Sequence, residues 1–521
     1  MEWWQEGVLY QIYPRSFRDT NGDGVGDLRG IIEGLDHLEW LGVDGVWVNP
    51  IHPSPNDDWG YDVSAYKDVH PELGTMEDFE ELIDDAARRG IRILLDLVPN
   101  HTSSAHPWFV DALSGRDAKH RDWYVWSDPK PDGSPPNNWL SMFGGSAWEF
   151  DEPSGQYYLH NFLDSQADLD WWNEEVREAI DDVLRFWFDK GVAGFRIDVA
   201  NSVIKDRDLR DNPPTTDDDH LEIQRIGQRP MYSMNRPEVH EILRRWRKVA
   251  READPPRMLV GETYVLDLGV LASYYGTGDE LDLAFNFPMF FTALDGEAMK
   301  TTVEQTFDHL SEDSWPVWTG SNHDGLRFPS RWCDGDERKI RIALMMLLTL
   351  RGTPFLYYGD EIGMTNVDIT REQLKDPVGI RFFPENPGRD PGRTPMQWSA
   401  DDGAGFTKPD VSPWLPLGDH RSVNVADQRS DGGSILNFTR DLIHLRRRSE
   451  DLRSGEQSSI ASPTGTFVYR RGVSTVVVLN MTDAPNSFDV DGEVLVTSTG
   501  RALEAGPLEL DPFEGAIVTQ S

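Results

Sequence analysis

The chain has 521 residues, 38% of them hydrophobic and 19 of them Trp, enough to bury one large barrel with additions or two to three domains. Lys and Arg number 50 against 90 Asp and Glu, a formal net charge of −40; this argues against nucleic acid or an anionic membrane surface as partner, and such acidity is one way to stay soluble at high salt. A single cysteine, Cys333, leaves no intrachain disulfide, the opening MEWWQEGVLYQ carries no basic and apolar leader, and no window approaches a membrane span, so a soluble cytoplasmic protein is expected.

The first apolar run, VLYQIYP (8–14), is β-branched and aromatic and predicts a strand. The stretch after it, DTNGDGVGD (19–27), has the front half of a calcium loop. Asp19, Asn21 and Asp23 occupy the alternating ligand positions, Gly24 the turn, the Val25 carbonyl the next position and Asp27 the one after. The closing Glu is missing, Gly30 standing in its place, and a strand precedes the loop where a sensor has a helix. The loop could hold one hard cation, or be a Gly/Asp turn that binds nothing. Ile31, Leu35, Leu38 and Leu41 then repeat at helical spacing. GVWVNP (45–50) predicts the second strand. Thr75-Met76-Glu77-Asp78 reads as a capping box opening a helix with Phe79, Leu82, Ile83 and Ala86 on its apolar face, stopped by Gly90.

Six more runs follow: IRILLDLVPNH (91–101), GFRIDVA (194–200), RMLVGET (257–263), LDLAFNF (281–287), WPVWTGSNHD (315–324) and FLYYGDE (355–361). Eight apolar strands alternating with amphipathic segments predict an α/β fold, a (β/α)₈ TIM barrel. The barrel is expected over 1–101 and 168–450, with an inserted subdomain at 102–167 and a Pro/Gly-rich loop insertion at about 364–420. From about 455 the texture becomes short β-type stretches, so an antiparallel β-sandwich domain is expected over 455–521.

Polar residues gather where the predicted barrel strands end: Asp96 to His101, Arg196 and Asp198, Glu262, and Asn322-His323-Asp324. A barrel brings these ends to one mouth, so Asp198, Glu262 and Asp324 should meet there with Arg196, His101 and His323. Like charges brought together raise each other's pKa and cost stability, so three carboxylates need a purpose. Glycoside hydrolysis supplies one, a carboxylate nucleophile beside a carboxylic acid; a divalent-metal hydrolase site is the carboxylate-rich alternative.

DLVPNH, GFRIDVA, GET and SNHD, in this order and spacing, resemble the four hallmark segments of the α-amylase superfamily of glycoside hydrolases, family 13. GVLYQIYPRSFRDTNGDGVGDLRGI, DDWGYDVSAY, QADLDWW and RTPMQW narrow the resemblance to its α-glucosidase and oligo-1,6-glucosidase branch, over nearly the whole chain. The resemblance implies Asp198 as nucleophile, Glu262 as acid/base and Asp324 as the group holding the sugar 2- and 3-hydroxyls, with Arg196 keeping the nucleophile ionised. It implies that His101 and His323 bond glucose hydroxyls, that Tyr61 stacks beneath the ring, and that Asp58 and Arg393 close the far wall around the 4- and 6-hydroxyls. It implies one structural Ca2+ on Asp19, Asn21, Asp23, Val25 and Asp27, no organic cofactor, and a small oligosaccharide as partner. The activity implied is that of a retaining, exo-acting α-glucosidase on α-1,4 or α-1,6 linkages, with sucrose a further candidate. Val199 after the nucleophile is the residue that accompanies α-1,6 cleavage in this branch, whereas Ala200, the segment VIKDRDLRDNPP (203–214) and QADLD depart from the oligo-1,6 pattern, and a broad or α-1,4 preference is expected. A transglucosylase or isomerase on the same scaffold is the main alternative; a sucrose phosphorylase is a weaker one, and a non-catalytic transporter-associated subunit fits less well because no membrane anchor is seen and all three carboxylates are present.

Overall fold

The structure, a computed structural model, describes residues 1–503 and 507–520. Eight parallel strands form the central sheet: β1 (Leu9–Ile12), β2 (Gly45–Val48), β3 (Arg92–Leu97), β4 (Gly194–Ile197), β5 (Met258–Gly261), β6 (Leu283–Ala284), β7 (Val317–Thr319) and β8 (Thr353–Tyr357). Their order is β6-β5-β4-β3-β2-β1-β8-β7, chain order apart from the wrap between β1 and β8, as a barrel requires. β6 and β7 end the hydrogen-bonded order, and the interior side chains close the ring. Trp47 from β2, Phe285 at the end of β6 and Phe355 from β8 meet there, with ring centroids 5.6 Å (Trp47–Phe285) and 5.0 Å (Phe285–Phe355) apart. Leu9, Leu94, Val260, Leu283 and Val317 complete this inner cluster. A barrel interior is therefore a packed core, and chemistry is left to its mouth.

The helices form for local reasons. Leu28–Leu41 starts at Asp27, whose carboxylate accepts the Gly30 N–H, and buries Ile31, Leu35, Leu38 and Leu41. Met76–Arg88 starts at the Thr75–Asp78 capping box, with both reciprocal bonds made, and buries Phe79, Leu82 and Ala86, while Ile83 is only partly covered. Every strand of the sheet is fully buried except at Arg92 of β3, which is why each reads as an unbroken apolar run.

Between β3 and the helix Glu174–Asp189 the chain builds a small subdomain. Its three-stranded sheet pairs Gln156–Leu159 with Trp126–Ser127 and Trp148–Asp151, and His101–Ser103 pairs with Gln166–Asp168. The C-terminal module is antiparallel. Gln457–Ile460, Thr466–Arg471, Thr475–Asn480, Gly515–Thr519 and Glu493–Thr497 form one sheet, and Asn486–Phe488 pairs with Leu508–Leu510 in a second. A buried arginine joins it to the barrel: Arg471 donates to the Thr349 carbonyl. Arg446, from helix Ile435–Arg448 before the module, donates to the carbonyls of Leu348, Leu350 and Gly352, so the end of helix Glu337–Thr349 keeps its orphan carbonyls satisfied. No helix among the described residues is long and apolar enough to cross a membrane.

Candidate active site

Strand register places the first half of the site. β3 and β4 pair with Asp96 opposite Arg196, and β4 and β5 pair with Ile197 opposite Gly261. Asp198 and Glu262 are each the next residue, so two neighbouring strands deliver two carboxyls at the same height. The buried Arg196 guanidinium serves all three acids. Nη1 donates to Asp96 Oδ1 (2.7 Å) and Asp198 Oδ1 (2.8 Å), and Nη2 donates to Glu262 Oε2 (2.7 Å). One cation does not neutralise three buried carboxylates, so the cluster retains protons. Burial, then the neighbouring Glu262, Asp96 and Asp324, push the Asp198 carboxyl well up, against the pull of Arg196, so in the resting pocket Arg196 alone does not keep Asp198 ionised as expected, and the proton held there has to reside on Glu262 when Asp198 attacks. Burial also pushes Asp96 up, to about 6, against Arg196 and the Tyr61 and Trp47 donors.

The free lone pairs face the cavity. Glu262 Oε2 accepts twice, from Arg196 and from the Val199 N–H (3.0 Å), and Asp198 accepts only at Oδ1. Glu262 Oε1 and Asp198 Oδ2 thus have no protein partner among the described residues, and both side chains line the cavity. A carboxyl with one tied and one free oxygen is set up either to carry a proton or to attack a carbon centre.

Asp324, after β7, comes from the opposite wall. Its Oδ1 accepts from Arg393 Nη2 (3.0 Å) and Arg389 Nη1 (3.3 Å), and its Oδ2 lies 3.1 Å from His323 Nε2. Desolvation in the cavity raises this carboxyl, but the contact with the His323 N–H and the Arg389, Arg393 and Arg196 cations outweigh it and hold it well below the usual carboxylate range. Asp324 is therefore the permanent anion of the site. His323 is locked by Gln11 Nε2 at its Nδ1 (2.8 Å), leaving the ring proton on Nε2, which faces Tyr61 Oη (2.6 Å). Burial keeps this imidazole neutral. The Tyr61 ring stacks on His323, centroids 5.2 Å apart, and its hydroxyl donates to Asp96 Oδ2 (2.9 Å). His101 Nε2 lies 3.0 Å from the Tyr61 carbonyl and 3.1 Å from Gln166 Nε2.

The far wall differs from the expectation in one respect. Arg393 does not meet Asp58. It is fully buried behind Asp324, where its Nε donates to the His323 carbonyl (2.7 Å). The guanidinium that meets Asp58 belongs to Arg389, whose Nη2 donates to Asp58 Oδ1 (2.6 Å). Asp376 fixes this arginine by accepting from its Nε (2.9 Å), its Nη2 (2.6 Å) and its backbone N–H (2.6 Å). Burial works against the charge on Arg389, but the Asp376, Asp58 and Asp324 carboxylates outweigh it and leave the guanidinium permanently cationic. Asp58 takes a further bond from Gln166 Nε2 (3.1 Å).

Asp96, Gln166, Asp376 and Arg389 thus join the residues singled out from sequence. Asp96 stood at a strand end and Gln166 in the QADLD segment, so both had a signal. Arg389 and Asp376 lie in the aperiodic Pro/Gly-rich insertion, where nothing in the pattern distinguishes one arginine from another. The residues enclose a cavity of about 610 Å³, the size of a small-molecule site. Asp58, Tyr61, His101, Asp198, Glu262 and Asp324 line it together with the more apolar Ile226, Met234, Tyr264, Val378 and Phe382.

The Asp19–Asp27 loop lies elsewhere. Asp19 accepts the N–H groups of Gly22 (2.7 Å) and Gly24 (2.9 Å), and Asp27 those of Thr20 (2.9 Å) and Gly30 (2.7 Å). A Cβ at Gly24, φ 90°, would strike the Ser412 carbonyl, so this turn requires glycine. Asp19 and Asp27 are buried, and neither forms an ion pair with Lys or Arg among the described residues. A buried carboxylate without a cation is costly, so the loop suits a positive charge. The set is mixed: no three or more His, Cys, Asp or Glu residues converge as a cage among the described residues, and Asn21 and the Val25 carbonyl would complete it.

The model of the alpha amylase catalytic domain matches residues 11–455. This chain belongs to the α-amylase family. It is 43% identical over 469 residues to a probable alpha-glucosidase of Rhizobium meliloti, covering 87% of this chain and 84% of the relative. It is 39% identical over 561 residues to an oligo-1,6-glucosidase of Heyndrickxia coagulans, covering 99% of each. The crystal structure of an alpha-glucosyl transfer enzyme, XgtA, superposes with a TM-score of 0.93 at 37% identity, over 99% of this chain and 100% of that one. The α-amylase family assignment makes the chain a glycoside hydrolase, and the branch is that of the α-glucosidases.

Proposed function

We propose that this α-amylase-family chain is a retaining, exo-acting α-glucosidase that removes terminal non-reducing α-linked glucose from short oligosaccharides. The observation that carries this reading is the Arg389–Asp58 pair, which walls off the cavity behind Asp324 and leaves room for a chain end. A glucose unit there meets Asp58 and Arg389 at its far edge, Asp324 and the neutral His323 along one side, and Tyr61 below. In the first step Asp198 Oδ2 attacks the anomeric carbon while Glu262 Oε1 gives its proton to the leaving oxygen. In the second, Glu262, now ionised, takes a proton from water, which displaces Asp198. Asp324 strengthens its bonds to the 2- and 3-hydroxyls as positive charge develops on the ring. His101 and Gln166 fix the Tyr61–Asp58 edge from the subdomain side.

The test is product release from maltose, isomaltose, sucrose and trehalose side by side, with the first-formed anomer followed by NMR. The reading expects free glucose, α-anomer first, from maltose at least as fast as from isomaltose. β-Glucose first, or cleavage inside longer chains with little glucose, would overturn it. The apolar part of the lining, Ile226, Met234, Val378 and Phe382, and the likeness to an alpha-glucosyl transfer enzyme favour a second reading, transfer of glucose to another sugar in place of water; new di- or trisaccharides in the same assay would reveal it.

We further propose that the Asp19–Asp27 loop holds one Ca2+ through Asp19, Asn21, Asp23, the Val25 carbonyl and Asp27. Bound there, the ion stabilises the fold by linkage and takes no part in the chemistry. The single Cys333 is a buried thiol, which fits a reducing, cytoplasmic setting.

A further inference from the structure

Among the described residues, eight other than glycine have positive φ, and Val199 is the single β-branched one, at φ 35°. For such a side chain this region is a steric outlier. Strain of this kind persists only where the surroundings over-determine it, and it clusters at functional sites. The Val199 side chain does not explain it, because it is only partly buried and faces the cavity. The backbone does. At the end of the β4–β5 ladder the Glu262 N–H donates to the Ile197 carbonyl (2.9 Å) and the Ala200 N–H to the Glu262 carbonyl (2.8 Å). The Val199 N–H lies between these two bonds and leaves the ladder for Glu262 Oε2 (3.0 Å).

We propose that Val199 is a positioning residue whose left-handed backbone aims its N–H at Glu262 Oε2 and so confines the acid's proton to Oε1, the oxygen that faces the glycosidic bond. This rests on the reading of Glu262 as acid/base. Oε2 already receives Arg196 Nη2 (2.7 Å), and neither donor can accept a hydrogen. With both on one oxygen, a proton there would meet two N–H groups head-on, and Oε1 is the only place left for it. The other groups facing Glu262 are Arg196 and Asp198 from β4, Tyr264 from its own strand end, Asp96 through Arg196, and Asp324 across the cavity. Of these, the carboxyls and the phenol respond to pH; the amide does not, so it is the constant part of the aim.

An ester in place of the Val199 amide, introduced as 2-hydroxyisovalerate by nonsense suppression, replaces this N–H by an oxygen that cannot donate and leaves the side chain unchanged. An N–H bond favours the ionised carboxylate, so its loss should move the basic limb of the kcat/KM profile on maltose upward. Turnover of maltose should fall by about tenfold or more, and that of 4-nitrophenyl α-glucoside, whose leaving group needs little protonation, by less. Val199→Ala retains the N–H and the left-handed backbone and should leave the limb in place; Val199→Gly removes the strain and should raise Tm. An unmoved limb in a folded ester protein, or an equal shift in Val199→Ala, overturns the proposal. Full maltose turnover by Glu262→Gln would instead overturn the acid/base reading on which it rests.

Discussion

Arg389 is the residue on which the shape of the sugar pocket depends. It joins Asp58 and Asp324, whose segments are far apart in the chain, to Asp376 in its own loop. In Arg389→Met the fully buried Asp376 and the buried Asp58 both lose their cation, and breaking a buried pair by removing one partner costs about 3–5 kcal/mol. An unfolding entropy of about 2.1 cal/mol/K per residue, over 521 residues, makes 1 kcal/mol worth roughly 1 °C, so Tm should fall by about 3–5 °C. Activity should suffer more, because Asp58 and Asp324 lose their fixed separation; a misplacement of about 1 Å costs on the order of 10²-fold. Arg389→Lys should recover most of the Tm and little of the activity, since an ammonium on a flexible stem cannot span three carboxylates as the planar fork does. Calorimetry with kcat/KM on maltose reads both. If Arg389→Met keeps kcat/KM within about threefold of the parent, the loss of transition-state binding is too small for a wall of the site, and the pocket argument fails with it.

Three further outcomes follow from the same geometry. Glu262→Gln should lower kcat on maltose by about 10²–10⁴-fold while sparing substrates with good leaving groups; equal losses on both would remove the proton-donor role. Asp23→Ala should weaken Ca2+ binding by calorimetric titration and lower Tm, with kcat nearly unchanged, whereas a large loss of kcat at unchanged Tm would sink the structural-ion assignment. Asp360 is buried, and burial pushes its carboxyl from 3.8 to about 7 against Arg327 and the Tyr357 and Ser321 donors. The folded state keeps a proton that the unfolded chain has released, so this group's stabilisation is present below 3.8 and is lost as pH rises towards 7. Asp360→Asn should flatten the decline of the unfolding free energy across that window by up to about 1.4 kcal/mol per pH unit, and an unchanged slope would contradict it.

The barrel was legible because its strands are covered on both sides. VLYQIYP, GVWVNP and RILLDL read as apolar runs, and the helix starts at Asp27 and Thr75 carry their own capping chemistry. The short β6 was legible for the same reason, although only Leu283 and Ala284 of the run LDLAFNF pair with β5. Strand ends pointed to Asp198, Glu262, Asp324, Arg196, His101 and His323 because parallel strands in a barrel all finish at one mouth. That inference needs only local runs and their order.

What the sequence could not decide lies in contacts between segments that share no period. Whether Arg389 or Arg393 meets Asp58 depends on how the 364–420 insertion crosses the mouth, and two arginines four residues apart in a Pro/Gly-rich loop look alike until the chain is folded. The sharing of one guanidinium by Asp96, Asp198 and Glu262 is a register effect between three strands from distant parts of the chain. The left-handed turn at Val199 runs against that residue's own preference. Local pattern therefore determined the fold and which residues reach the mouth, because burial and hydrogen bonding act along each element. The pairing of charges, the assignment of protons and the closure of the pocket were decided by tertiary structure, because electrostatic energy in a buried site depends on distances of a few ångströms between residues that sequence spacing does not relate.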